Sequence, residues 1–222
     1  MSRIFLLVLI LISTKNIFAC NWVKPNKITL DSLFSEGVVL QRDKTIAIWG
    51  TATENNLPVE VSLQDQNVKT TTENKKWKVE FKPLDAGGPY TLKVSSNTST
   101  LQIPSVYVGD VWLAGGQSNM LWQLKNTVEG KAYIASQSKD DYIRLYKAKL
   151  GYNREPNIAD CNGISLGTWK AANKDTVPTF SAVAYHFARN LREKLNVPIG
   201  IISTPVGGSP IESWISHDYY LK

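Results

Sequence analysis

The stretch VGDVWLAGGQSNM, residues 108–120, begins as an apolar run and ends in two glycines and a serine between two amides. A mostly apolar run of this length predicts a strand buried in a parallel sheet. Gly115 and Gly116 favour a tight turn after it, because glycine accepts positive φ and lets a ligand approach the backbone closely. Ser118 then has two interpretations, a nucleophile or the N-cap of a following helix, and spacing alone favours the cap.

The sequence after this stretch predicts the rest of an α/β unit. Residues 141–150 indicate a second strand, and 199–204 a third. Between them, residues 180–195 repeat apolar side chains at helical spacing, which predicts a helix whose buried face carries Phe180, Ala184, Phe187, Ala188, Leu191 and Leu195. Asn196 and Pro198 end that helix. Strand, helix and strand form a βαβ unit, so the loops that follow the strands lie where open α/β sheets bind ligands.

A second glycine loop, PVGGSPIESW at 205–214, follows the third strand. Gly207 and Gly208 expose backbone N–H groups there. Ser209 with Pro210 is also typical of a capped helix start with proline at its first position. Both interpretations can hold together.

Residues 27–103 predict an all-β unit. Short β-branched or aromatic runs alternate with polar turn clusters; the runs are VVLQ, TIAIWG, VEVSL, WKVEF, YTLKVS and STLQI. This spacing is typical of a small sandwich. Pro104 and Ser105 mark the predicted joint, which gives a signal segment at 1–19, a β-sandwich domain at 20–104 and an α/β domain at 105–222.

Two blocks, GDVWLAGGQSNM and GGSPIESW, resemble the sialate O-acetylesterase family of SGNH/GDSL-like carbohydrate esterases. The opening ITLDSLFSEGVVLQRDKTIAIWG at 28–50 resembles the start of that family's β-domain. Residues 167–203 resemble the segment that leads into its second glycine loop. The likeness covers nearly all of residues 27–216, and it implies an SGNH-hydrolase-like α/β domain preceded by a small β-sandwich.

The resemblance implies a site. Ser118 attacks an acetyl ester of a sugar, and the N–H groups of Ser118 and Gly208 hold the oxyanion. It assigns substrate-contacting or loop-shaping roles to four neighbours, Gln117, Asn119, Gly207 and Glu212. Glu212 is equally well explained as a solvated first-turn glutamate favoured by the helix dipole. No metal or other cofactor is implied.

A serine nucleophile needs a general base, and the chain has two histidines. The family supplies a closely spaced Asp and His near its C-terminal end, and an asparagine for the oxyanion hole, and we find neither block. His186 is expected on a helix surface. His217, beside Asp218, follows the second glycine loop, which is not where the family has its Asp and His. Asp110 is expected to be a structural hydrogen-bonding residue.

We therefore expect an incomplete parallel sheet: this is the N-terminal part of a longer esterase, and by itself a poor catalyst. A partial sequence, a disrupted gene and a partner that supplies the rest stay open. The alternatives are a catalytically inactive truncated remnant or sugar-binding module and, more weakly supported, a lipase-like esterase.

The N-terminal segment resembles a signal peptide, with Arg3, an apolar run from Ile4 to Ile12 and a small residue at Ala19. Its removal takes away two cations, Arg3 and Lys15, and lowers the net charge from +6 to +4. We expect an exported protein that is periplasmic, secreted or anchored by a lipid on Cys20. Cys20 and Cys161 pair only if Cys20 is not lipidated. No basic run indicates nucleic acid, and nothing sets an oligomeric state.

Overall fold

The computed structural model describes residues 27–97, 99–136, 139–150, 164–165 and 167–220. The predicted signal segment, Cys20 and Cys161 lie outside these ranges. The strands are β1 Ile28–Leu30, β2 Val39–Gln41, β3 Ile46–Ala52, β4 Pro58–Leu63, β5 Gln66–Thr71, β6 Lys76–Phe81, β7 Gly87–Ser96, β8 Ser99–Ala114, β9 Asp140–Lys147, β10 Lys149–Leu150, β11 Ile164–Ser165, β12 Trp169–Ala172 and β13 Ile199–Ser203. The helices are α1 Ser118–Leu121, α2 Gly130–Ala135, α3 Ala182–Leu195 and α4 His217–Tyr220, with 3-10 turns at Leu124–Asn126 and Ile211–Trp214.

Two sheets pack around the N-terminal core. One is antiparallel in the order β1-β3-β6, and the other is a mixed sheet in the order β12-β9-β13-β8-β7-β4-β5, with β2 beside β8. Alternate residues of β4 and β6 are buried, as expected for strands with one face on a core. One buried cluster joins both sheets, and it includes Ile48, Trp77, Val61 and Leu92.

Strand β8 connects the antiparallel and parallel parts of the mixed sheet. Its first part pairs antiparallel with β7, and its last residues, Asp110–Ala114, pair parallel with β13. Pro104 and Ser105, the predicted joint, lie inside this strand where the register with β7 shifts, and Ser105 has a φ of 58°. A proline cannot donate to the ladder, so a bulge is a place where a strand tolerates it. The chain thus changes partners after the predicted boundary without leaving the strand.

The parallel part agrees with the predicted α/β pattern. Strands β9, β13 and β8 are neighbours, with Ser203 opposite both Lys147 and Ala114 at their carboxyl ends. The loops after β8 and β13 therefore emerge side by side. Strand β12, which the sequence does not predict, adds to the edge of β9 in antiparallel orientation.

Helix α3 covers β9 and β13 and ends as predicted, since Asn196 is its left-handed C-cap with a φ of 53°. The predicted buried face is wrong in part. Phe187 is 41% exposed and packs edge-on against Trp112, and Leu195 is 43% exposed, whereas Tyr185 is buried. The buried stripe of α3 is thus shifted around the helix toward Ala184, Tyr185 and Ala188.

Candidate active site

The two glycine loops meet at the carboxyl end of the parallel sheet. The Val206 N–H donates to the Gly116 carbonyl at 2.8 Å, and the Thr204 N–H donates to the Ala114 carbonyl at 3.0 Å. Gly116 and Gly208 have φ values of 132° and 76°, which favour glycine over residues with a side chain. One glycine in each loop is therefore favoured by the turn geometry, which the sequence predicts for the first loop.

Trp214 closes one side of the loop that carries Ser118, residues 115–120, which we call the serine loop. A Cβ placed on Gly115 would lie 2.9 Å from the Trp214 ring, so the ring sits directly against the Gly115 backbone. The Ser209 hydroxyl holds this ring, because the Trp214 Nε1–H donates to it at 3.0 Å. Ser209 in turn donates to the Val206 carbonyl at 2.8 Å. The predicted role of Ser209 as a helix cap is wrong, since Pro210 precedes the 3-10 turn and no side chain caps it.

Met120 connects α1, the serine helix, to the start of α3. The Ser181 hydroxyl donates to Met120 Sδ at 3.4 Å and accepts the Ala184 N–H at 3.2 Å, so one buried side chain both caps α3 and contacts the serine loop. The Ala182 N–H donates to the Trp122 carbonyl at 2.9 Å. Sequence reasoning missed this anchor, although a serine just before an apolar helical pattern is an N-cap signal.

Ser118 is exposed at the first position of α1. The N-cap interpretation of Ser118 is wrong, because Gln117 occupies the cap position and no side chain caps the helix. The Ser118 hydroxyl lies 3.5 Å from Gln117 Oε1, a long contact. Gln117 and Asn119 are exposed on either side of it. Among the described residues, no hydrogen bond shorter than this one engages the Ser118 hydroxyl.

Backbone donors are available beside this serine. Within the described residues, the N–H groups of Ser118 and Gly208 donate no hydrogen bond to another protein group. Gly207 places the second loop close to α1, since a Cβ added there would lie 3.7 Å from Leu121 Cδ2. Unpaired N–H groups in neighbouring loops are the donors that an oxyanion needs.

The structure brings no general base to Ser118 among the residues it describes. His186 is exposed on α3, as predicted, with its ring 5.2 Å from the ring of Tyr133. His217 begins α4, and its side chain lies outside the description. Gln117 is the side chain within hydrogen-bonding distance of the Ser118 hydroxyl in the described part of the chain.

Two acidic residues near the glycine loops, Asp110 and Glu212, make no hydrogen bond to Ser118. Asp110 accepts two hydrogen bonds from Arg42, at 2.8 Å and 3.3 Å, which confirms its expected structural role. This contact raises the pKa of the Arg42 guanidinium. Glu212 is exposed in the 3-10 turn Ile211–Trp214, and within the described ranges its carboxylate has no hydrogen-bond or ion-pair partner. Its role as a substrate contact stays a prediction.

Two adjacent cavities lie at the ends of the parallel strands, and α1 bounds the smaller one. The smaller, of about 170 Å³, is lined by Met120 and Leu121 of α1 and by Ser203 and Pro205 after β13. The larger, of about 500 Å³, lies toward β12. Four residues line both cavities, namely Lys147, Ala148, Thr179 and Phe180. A groove large enough for a sugar ring thus begins at Met120 and Leu121, which follow Ser118 in α1.

Among the described residues, no cluster of three or more His, Cys, Asp or Glu side chains could hold a metal ion. No described helix is long and apolar enough to cross a bilayer.

The chain is similar to known proteins over most of its length, although no protein-family model matches it. The chain is 31% identical over 196 residues to a sialate O-acetylesterase of Rattus norvegicus, a match that covers 81% of this chain and 36% of the relative. A sialate O-acetylesterase of Homo sapiens is 29% identical over 201 residues, or 83% of this chain and 38% of the relative. The chain is a relative of the sialate O-acetylesterases. The resemblance predicted from the sequence is therefore confirmed.

A solved structure supports the same relationship. The crystal structure of a carbohydrate acetylesterase from Xanthomonas citri superposes with a TM-score of 0.80 and 36% identity, over 87% of this chain and 43% of that one. The mixed α/β sheet is consistent with the fold of this neighbour. The chain spans less than half the length of each relative named here.

Proposed function

We propose that this chain is part of an exported carbohydrate O-acetylesterase of the SGNH type, with Ser118 as the nucleophile. The observation that carries the proposal is the pairing of the two glycine loops: Ser118 follows one parallel strand, Gly208 follows its neighbour, and the Gly116–Val206 hydrogen bond joins them at 2.8 Å. The names of the relatives support acetylated sugars, sialic acid among them, as the substrate class. Residues 20–104 would form a β-sandwich domain beside the esterase domain.

In the proposed reaction, the Ser118 oxygen attacks the acetyl carbonyl carbon and its proton passes to a base. The N–H groups of Ser118 and Gly208 stabilise the negative charge that develops on the carbonyl oxygen. The ester C–O bond then breaks, the sugar oxygen takes the proton, and an acetyl group stays on Ser118. Water attacks this acyl group and releases acetate.

A second function is favoured by one observation, the lack of a base near Ser118 among the described residues. A chain with this loop and no base would bind acetylated sugars without turning them over, as a remnant or a sugar-binding module. We expect this chain alone to hydrolyse sugar acetates slowly, because an unassisted serine hydroxyl is a weak nucleophile.

Acylation of Ser118 tests the nucleophile, which both functions would retain, and turnover of an O-acetylated sugar separates the two functions. An activated aryl acetate has a good leaving group, so its reaction requires less acid–base assistance than that of a sugar acetate. We expect mass spectrometry to find an acetyl group on the Ser118 peptide in the unmodified chain and in Ser213→Ala, an exposed serine of the neighbouring turn. Ser118→Ala should carry none.

Each outcome decides something. An adduct that persists in Ser118→Ala would refute the nucleophile. Rapid acetate release from an O-acetylated sugar, abolished by Ser118→Ala, would confirm the nucleophile and refute the expected slow turnover.

A further inference from the structure

We propose that Lys147 makes this site selective for sugar esters that carry a carboxylate. This inference rests on the proposed function, because it concerns the substrate of the same site. The relatives leave the point open, since some are named for sialate, an acidic sugar, and the Xanthomonas citri protein is named for carbohydrate in general.

Lys147 stands between the serine helix and the larger cavity. It is the last residue of β9, and its Cα pairs with that of Ser203 at the end of β13. Its side chain lines the small cavity together with Met120 and Leu121, and it lines the larger cavity as well. A sugar that extends from α1 into the larger cavity would therefore come close to Lys147.

The ammonium group of Lys147 is held in place and stays available. Its Nζ donates to the Thr179 carbonyl at 3.2 Å, which fixes the group on the wall shared by both cavities. A lysine ammonium has three N–H donors, so this neutral partner leaves two for a ligand. In the described part of the chain, no carboxylate lies within ion-pair distance of Lys147, and the side chain is exposed.

Among the described residues that line the two cavities, the charged groups leave a positive balance. Lys170 and Asp175 line the larger cavity, so the two lysines exceed one carboxylate. A concave site lined by an excess of one charge raises the local concentration of ligands with the opposite charge. A carboxylate near the reacting ester would meet Lys147 in a charge-assisted hydrogen bond, whereas a neutral sugar would leave that donor without a charged partner.

The test measures binding, so that it does not depend on turnover. An O-acetylated sialic acid and its methyl ester, which differ in the charge of one group, are titrated calorimetrically into the Ser118→Ala chain. The same titrations are made after adding Lys147→Met, Lys147→Arg or the control Lys174→Met, an exposed lysine that lines neither cavity.

We expect the acid to bind more tightly than its methyl ester, and added salt to reduce the difference. Lys147→Met should weaken binding of the acid by about tenfold and leave the ester unchanged, because a hydrogen bond to a charged group is lost. Lys147→Arg should keep the preference, and Lys174→Met should behave as the parent.

Contrary results are distinguishable. Equal binding of acid and ester by the parent chain would overturn the role of Lys147 and leave the proposed esterase standing. If Lys147→Met weakens binding of both ligands equally, or weakens neither, Lys147 does not recognise the carboxylate. A parent chain that binds neither ligand would overturn the proposed sugar site together with this inference.

Discussion

Ser181 offers a quantitative test of how the serine loop is built. Its side chain is 4% exposed, and its hydroxyl both accepts the Ala184 N–H and donates to Met120 Sδ. Ser181→Ala removes both hydrogen bonds and leaves the N–H of buried Ala184 without its acceptor. Loss of an N-cap costs about 1 kcal/mol, and a buried unpaired donor moves that cost toward about 2 kcal/mol.

The thioether contact should contribute little to this cost, because a thioether sulfur is a weak acceptor. For a chain of this size, a loss of about 1–2 kcal/mol corresponds to a fall in Tm of about 2–8 °C. Urea unfolding of the parent, Ser181→Ala, Met120→Leu and the double variant measures each free energy. Met120→Leu keeps the volume and the cap while removing the sulfur, and we expect it to cost less than about 0.5 kcal/mol.

Two results would refute the reasoning. A loss below about 0.5 kcal/mol in Ser181→Ala would show that the cap contributes less than its geometry indicates. A cost for Met120→Leu equal to that of Ser181→Ala, with strong coupling in the double variant, would show that the sulfur contact dominates.

Two further predictions concern packing and alkaline pH. Gly109→Ala should lower the free energy of unfolding by more than about 3 kcal/mol, because the new Cβ would lie 2.0 Å from the Pro198 carbonyl oxygen. The control Gly207→Ala, whose Cβ would lie 3.7 Å from Leu121, should change it by under about 0.5 kcal/mol. Chemical unfolding measures both variants, and equal losses would contradict the close approach of Pro198 to Gly109. Burial raises the pKa of the Tyr185 phenol, so the unfolded chain loses this proton first and stability should fall as pH rises above about 10. The free energy of unfolding of Tyr185→Phe should decline less between neutral and alkaline pH than that of the unmodified chain. An equal decline in both would exclude Tyr185 as a cause of the alkaline loss of stability.

The sequence predicts the elements whose hydrophobic pattern is strong. The six runs of the N-terminal half, the strands at the two glycine loops and the end of α3 at Asn196 all appear in the structure. Strand β5 does not follow from the pattern, because its residues QNVKTT are mostly polar. It forms as an edge strand paired to β4 through a two-residue turn at Gln64 and Asp65, with Gln64 at a φ of 52°.

The errors at α3 and at the loops have local causes. Periodicity finds an apolar face but cannot tell how far a sheet extends beneath it, so Phe187 meets the half-exposed Trp112 rather than a closed core. Cap signals also mislead where a serine has another partner. Ser209 bonds Trp214 and Val206 instead of a helix end. Ser181 does cap a helix, but it lies inside the range predicted as helical from Phe180 onward, where a cap is not expected.

The shape of the serine loop and its chemical competence depend on different residues. Within the described part of the chain, the Gly116 carbonyl accepts the Val206 N–H, the Trp214 ring packs against Gly115, and Met120 Sδ accepts the Ser181 hydroxyl, and these contacts hold the loop. None of these contacts activates the hydroxyl, because none supplies a base. A loop that is preorganised without its base should still accept acyl groups from activated esters and still bind sugar acetates. Acylation tests Ser118 as the nucleophile, and the binding comparison tests Lys147 as the group that selects the substrate. Equal binding of acid and ester would leave the Ser118 result intact, whereas a chain in which Ser118 takes no acetyl group would remove the basis for a substrate site at Lys147.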